Sequence, residues 1–399
     1  MYKFYCLPNF TCMRYCFPVL LGLLTVVFQG CGNPDAEKKT ETTEAASPAD
    51  RQVWTKQEAN AWYAKQGWPV GANFLPSTAI NQLEMWQAET FDTATIDREL
   101  GWAENLGMNT MRVFLHDLLH QQDSTGFYQR IDTFLQIAAR HKIRPLFVFF
   151  DSCWDPFPKL GKQRAPKPYT HNSGWVQSPG QAALKDSTQY ARLETYVKSV
   201  VHRYGQDDRI LGWDIWNEPD NMTGAAYEKV EIPDKVEYVN LLLKKSFDWA
   251  RSQNPSQPLT SGIWKGHYPV YDSLDATQKI QIDESDIISF HSYDSAAKFE
   301  TLIGYLEPYG KPILCTEYMA RPNGSTFEGS LPIGKKHHVG MYNWGFVDGK
   351  SQTIYPWDSW TKQYNGEPPV WFHDIFRRDG KPYREAEVKL IKSLTATAP

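Results

Sequence analysis

Between residues 69 and 344, eight short apolar runs alternate with stretches of helical periodicity, and this alternation limits the fold more than any other feature of the chain. The runs are Pro69–Leu75, Thr110–Leu115, Pro145–Phe150, Ile210–Trp216, Leu259–Trp264, Ile287–His291, Pro312–Thr316 and Val339–Trp344. Pro145–Phe150 has no polar residue, as a strand covered on both faces should. Phe127–His141 puts Ile131, Phe134, Leu135 and Ala138 on one helical face. A helix over Thr95–Leu106 stops at Gly107, where a left-handed C-terminal residue is favoured. Further helices are expected at Thr55–Gln66, Leu184–Tyr204, Val236–Ser252, Tyr271–Thr277, Ala296–Leu306, Ser330–Lys335 and Arg384–Leu394, with a long loop over Asp151–Gly180. Eight strands, each followed by a helix, predict an α/β fold, a (β/α)8 TIM barrel. No internal repeat and no second-domain boundary interrupts it, so a single domain is expected over residues 51–399.

The chain ahead of that domain has a different composition. Lys3 and Arg14 lead into an apolar run, Phe17–Phe28, too short to span a bilayer and suited to a secretory signal over residues 1–30. Phe28-Gln29-Gly30-Cys31 resembles a bacterial lipobox with its lipidated cysteine at Cys31. Residues 31–50 are polar and nearly free of large apolar groups, which predicts a flexible tether. The expected location is the bacterial cell envelope, exported and held to the membrane by a lipid anchor alone; simple secretion is the alternative.

Loss of the signal's two positive charges moves the formal net charge from −4 to −6. A mildly acidic chain without a basic stripe argues against nucleic acid as a partner. Cys153 and Cys315 remain in the domain and read as buried small hydrophobes rather than a bridge. Scattered histidines, with no HisGluxxHis and no paired-cysteine spacing, predict neither a protein-bound metal nor a cofactor. A glycine-rich phosphate loop and a GlyxSerxGly elbow are also missing from the sequence.

Polar residues gather where the apolar runs end. Ile210–Asp220 finishes on Asn217-Glu218-Pro219, and ninety-nine residues after Glu218 a second run delivers Glu317. Arg112 and His116 belong to the second run, Asp151 to the third, His291 and Tyr293 to the sixth, and Trp344 to the eighth. In such barrels the chemistry sits at the carboxyl ends of the strands. Two carboxyl groups aimed into one cleft are the minimum equipment for cleaving a glycosidic bond.

In this order along the chain the residues resemble the clan A retaining β-glycosidases, the group of family-five cellulases, mannanases, xylanases and β-mannosidases. The match spans most of Trp68–Gly345 and rests on Asn217-Glu218-Pro219, on Glu317 in ThrGluTyr, on Arg112 in AsnThrMetArgValPhe, on His291-Ser292-Tyr293 and on Trp344. It implies Glu218 as acid/base and Glu317 as nucleophile, with Arg112 and Tyr293 donating to Glu317. It further implies Asn217 on the sugar 2-hydroxyl and Trp344 as the floor of the site. The chain departs from many family-five cellulases, which carry histidines after the third strand where this one reads Asp151-Ser152-Cys153-Trp154.

Other positions have two readings. His291 either contacts sugar or orients a carboxylate; His116 either lines the site or caps the rim; Asp151 either meets sugar or anchors its loop. Asp214 reads as a buried partner of Arg112. Fifteen tryptophans are many for one domain. Trp154, Trp175, Trp264, Trp357 and Trp360 stand in loops or at strand ends, where they either pack beneath long loops or stack on sugars, and Trp175 is included among the substrate-binding candidates. The expected activity is retaining hydrolysis of a β-linked oligo- or polysaccharide of hemicellulose or β-glucan type. Transglycosylation on the same two carboxylates and a barrel that only binds glycans are the alternatives.

Overall fold

The protein is described by a computed structural model covering residues 51–396 apart from 223 and 267. The signal, the tether and Cys31 lie outside the described residues. Eight parallel strands run in sequence order: β1 Val70–Asn73, β2 Thr110–Phe114, β3 Arg144–Asp151, β4 Gly212–Asn217, β5 Leu259–Thr260, β6 Ile288–His291, β7 Ile313–Tyr318 and β8 Gly340–Asn343. Each pairs with its neighbour in order, and β1 also pairs with β8. The remaining seam, between β5 and β6, is bridged where Ile263 donates to Ser289 O (3.0 Å) and accepts from His291 N (2.8 Å). The sheet therefore closes into the expected (β/α)8 barrel. Every residue of these strands is buried except the first of β3, as strands sandwiched between a filled interior and a ring of helices must be.

The interior changes character along its axis. At the amino-terminal end Leu146, Leu211, Ile287, Leu314 and Tyr342 form an apolar plug, with Trp54, Trp62 and Tyr63 packed beneath. Fully burying one such aliphatic side chain is worth about 1.5–3 kcal/mol. Asp286 fixes the lid: it pairs with Arg51 and accepts from Trp54 N (2.8 Å) and Leu259 N (2.8 Å). Nearer the mouth the interior turns polar with Thr260, Ser289, Asp214 and Arg112. One end is sealed and the other carries the chemistry.

The helices fall where periodicity places them, with informative shifts at the boundaries. Ala296–Leu306 matches residue for residue. Asp117–Arg140 begins ten residues before the expected start at Phe127, with a break at Asp123 (φ −158°, ψ 83°), because His116 caps Leu118 N while residues 120–126, all polar or glycine, interrupt the apolar stripe before Phe127. The expected helix over Leu184–Tyr204 splits into Gln181–Lys185 and Tyr190–Tyr204 around Asp186, whose carboxylate caps Thr188 N (3.0 Å) instead of continuing the helix. β5 stops at Thr260 although the apolar run continues to Trp264. The helix expected near Tyr271 forms mainly as Ala276–Glu284, started by an Asp275/Gln278 capping box. Residues 152–180 contain no helix or strand. Among the described residues no helix is long and apolar enough to cross a membrane.

Candidate active site

β4 and β7 deliver the two carboxylates differently. Glu218 is the first residue past β4 and has left-handed backbone (φ 41°), uncommon for a side chain of its size. Its carbonyl accepts from Asn221 N (2.9 Å), closing a tight turn that lifts the carboxyl out of the strand line. Glu317 lies inside β7, where the pairing slips register against both β6 and β8. Such irregularities re-aim a side chain within a ladder. The two side chains converge, and an oxygen of each lies within 4.8 Å of the other.

Arg112, on β2, organises one side of the pair. Its Nε donates to Asp214 Oδ2 (2.9 Å), Nη1 to Asn73 Oδ1 (2.9 Å) and Glu317 Oε1 (2.8 Å), and Nη2 to Asn217 Oδ1 (2.7 Å), while Nη2 also stands 2.8 Å from Asp214 Oδ2 as an ion-pair contact. Tyr293 Oη donates to the other oxygen of Glu317 at 2.7 Å. Glu218 is held by different partners: the Asn221 amide, the Cys153 thiol at 3.3 Å and His291 Nδ1 at 2.8 Å. Burial raises both carboxyls above the usual range. Only Glu317 receives a guanidinium and a phenol directly, so it is the one held ionised, leaving Glu218 to carry the proton. Burial lowers His291 to about 4, so a neutral imidazole spans the two carboxyls, 3.6 Å from Glu317.

These groups open into a cavity of about 570 Å³. Trp175 and Trp344 meet edge to face at 5.6 Å on one side of it. Trp154 and Trp360 stack at 5.5 Å on another. Directly after Trp344 the chain turns on Gly345 (φ 74°), where a Cβ would stand 2.7 Å from the Cβ of His373.

A family comparison matches residues 77–363 to the family described as Cellulase (glycosyl hydrolase family 5), which is more than half of the chain. The chain belongs to glycosyl hydrolase family 5. As a member it is a retaining glycosidase that hydrolyses O-glycosyl compounds. A probable mannan endo-1,4-β-mannosidase A of Aspergillus niger is 22% identical over 286 residues, covering 61% of this chain and 69% of that one. Among solved structures, the exo-β-1,4-mannosidase Op5Man5 from Opitutaceae bacterium strain TAV5 superposes with a TM-score of 0.55 at 18% identity. That match covers 82% of this chain, which spans 59% of the other's length. A Streptomyces cattleya GH5_18 variant in complex with Manβ1-4GlcNAc gives a TM-score of 0.54 at 12% identity, covering 82% of this chain and 80% of that one.

Within this family-5 barrel, the residues expected from sequence divide into two groups. Asn217, Glu218, Tyr293, Glu317, Trp344 and Trp175 line the cavity, as do Trp154, Trp264, Trp357 and Trp360. Arg112, His116, Asp151 and His291 do not. Arg112 and His291 are buried behind the carboxylates they touch. Asp151 accepts from Trp175 Nε1 (2.6 Å), Asn217 Nδ2 (3.0 Å) and Cys153 N (2.9 Å), so it aims wall residues rather than meeting sugar itself. The reading of His116 as a wall of the sugar site is corrected: its Nδ1 accepts from Leu118 N (3.2 Å) and its Nε2 faces Gln177 O (3.1 Å), which makes it a helix cap beneath the rim. Asp214 is the buried partner of Arg112 that strand alternation anticipates. Cys153 and Cys315 are both buried and unbridged. Cys153, however, touches Glu218 and lines the cavity, which a reading as plain core misses.

Sequence reasoning also passed over His171, Asn172, Asn221 and Asp358, all on the cavity wall. Asn221 stood three residues after Glu218 and could have been found from the turn that Pro219 enforces. His171 and Asn172 sit in a structureless loop with no periodic signal to place them.

Proposed function

We propose that the chain cleaves β-mannosidic bonds by double displacement, with Glu317 as nucleophile and Glu218 as acid/base. The observation that carries this is the carboxyl pair itself. Its oxygens approach within 4.8 Å, one group is held by Arg112 and Tyr293, and the other is left to carry the proton. Retaining glycosidases keep their carboxyls about 5–5.5 Å apart, whereas inverting ones need room for a water between them.

In the first step a Glu317 oxygen bonds to the anomeric carbon while Glu218 gives its proton to the departing glycosidic oxygen. Forming the ester removes the negative charge of Glu317, so the Glu218 carboxylate is then the stronger base. It takes a proton from water as that water attacks the anomeric carbon and releases Glu317. Asn217 is committed through Oδ1 to Arg112, and its Nδ2 makes a short contact with Asp151 and a long one (3.5 Å) with Cys153. The long contact is the one a sugar 2-hydroxyl would replace. The mannoside assignment is supported by the curated relatives that act on mannan, not by any single side chain.

The test is trapping with a 2-deoxy-2-fluoro-β-mannosyl fluoride followed by peptide mapping. The label is expected on Glu317; a label elsewhere, or net inversion of the anomer by NMR, rules the mechanism out. Glu218→Gln should cost about 10²–10⁴-fold on oligosaccharides and much less on activated aryl glycosides, whose leaving groups need no proton. From sequence we also propose that residues 1–30 direct export and that Cys31 anchors the mature chain. Fatty-acid labelling that persists in Cys31→Ala would refute the anchor.

A further inference from the structure

We propose that the cavity is a blind pocket that accepts one terminal sugar, so that cleavage is exo, and that Asn172 holds the hydroxyls of that sugar. The inference rests on the glycosidase reading above and adds to it the mode of attack.

A groove that cuts inside a polymer must be open at both ends. Here the loop after β3 and the segment after β8 are joined across one end. Asn172 N donates to Ser351 O (2.8 Å), His171 N to Ser359 Oγ (3.0 Å), Trp360 Nε1 to His171 O (2.8 Å) and Tyr169 N to Gln352 Oε1 (2.8 Å). Gln352 Nε2 returns bonds to Lys167 O (2.7 Å) and Thr170 O (3.1 Å). The Trp154–Trp360 stack lies across the same junction. Most of these bonds involve backbone groups, which cannot swing aside to admit a polysaccharide without breaking several at once.

Exposure follows the same direction. At the joined end His171 and Asn172 are each 1% exposed and Trp175 3%. The pocket's mouth is exposed at Gly224, Asp358 and Thr361, and Trp357 on the same rim is 39% exposed. Glu218 accepts from Asn221, which lines the cavity together with half-buried Trp264. The acid must stand over the departing oxygen, so the leaving group exits through the open rim and the terminal sugar occupies the closed end.

Asn172 supplies an independent observation at that end. Its Oδ1 is buried and has no hydrogen-bond partner, while the residue lines the cavity. Buried amide oxygens are almost always paired. An unpaired one on the wall of a sugar-sized cavity is a ready acceptor for a hydroxyl, and filling it selects for a chain end placed there.

The experiment follows the first products from mannohexaose, from its borohydride-reduced form and from a form blocked at the non-reducing terminus. The expected result is mannose as the earliest product, stepwise shortening, turnover of the reduced chain and none of the blocked chain. Early di- or trisaccharides, or cleavage of the blocked chain, overturn exo attack. The same series is run with gluco-, xylo- and galacto-oligosaccharides. Stepwise cleavage in one of those instead of the mannans overturns the mannoside reading and keeps the blind pocket; no cleavage anywhere overturns both. Asn172→Ala is expected to weaken inhibition by the free monosaccharide product about tenfold, with a small fall in thermal midpoint because the left-handed backbone at this position (φ 46°) disfavours alanine. An unchanged inhibition constant removes Asn172 from the proposal, and Asn172→Gly, which suits the left-handed backbone, provides the same reading should the alanine variant fail to fold.

Discussion

Arg112 and Arg321 are both enclosed guanidiniums ringed by acceptors, yet those acceptors differ in kind. Arg112 bonds only side chains, two of them carboxylates, and one of those faces the cavity. Arg321 grips Glu387 with Nε (2.8 Å) and Nη2 (2.6 Å) and gives its other donors to the carbonyls of Trp371, His373 and Asp374. Backbone carbonyls do not titrate and do not leave, so Arg321 fixes the course of the chain. It ties residues 371–374 and the helix Glu385–Thr395 behind the wall formed by Trp357 and His171. Side-chain carboxylates do titrate, so Arg112 decides which of two acids is charged. Arg112 thus serves the site because one of its carboxylates faces the cavity, whereas the one carboxylate held by Arg321, Glu387, is buried away from it.

The sharpest way to break this contrast is to remove the charge Arg112 serves. Glu317→Ala should lower kcat/KM on the order of 10⁴-fold or more with little loss of thermal stability; near-native turnover would deny Glu317 its role. Arg112→Met comes next. Uncovering two buried carboxyls should cost about 3–5 kcal/mol in chemical denaturation. The activity–pH profile should change as well. On the proposed mechanism activity requires Glu317 ionised and Glu218 protonated, so it should fall toward low pH as the first takes up a proton and toward high pH as the second loses one. Without the guanidinium Glu317 rises further, and the acidic limb moves to higher pH. Arg321→Met should destabilise by a similar amount while both limbs stay in place. A shifted acidic limb there would erase the distinction. Cys153→Ala is the smallest change: losing a donor to the Glu218 carboxylate raises that group and moves the alkaline limb up, with the acidic limb unmoved.

Much of this was legible in the chain because it is carried by period and position. Strands buried on both faces read as unbroken apolar runs, and the residue that follows each run lands on the rim. Glu218, Glu317, Tyr293 and Trp344 could thus be named before any coordinates. Helix starts such as Asp117 are less legible, since the polar residues 120–126 interrupt the apolar stripe between Leu119 and Phe127. His116 stays open between two readings in the sequence for a related reason: nothing there says whether a residue just past a strand turns inward to the cavity or down to cap the next helix. Cys153 looked like core because cysteine usually is, and only its neighbour across the strand-end gap, Glu218, makes it part of the site.

The sequence by itself determined the barrel, the pair of carboxylates and their supporting arginine and tyrosine, because these depend on spacing along strands that regular hydrogen bonding must align. The tertiary structure alone decided where the cavity ends. His171 and Asn172 come within hydrogen-bonding reach of Ser351 and Ser359 although some 180 residues separate them along the chain. Contacts between irregular loops follow from no local period. They exist only once the closed barrel has set the distance between the ends of β3 and β8.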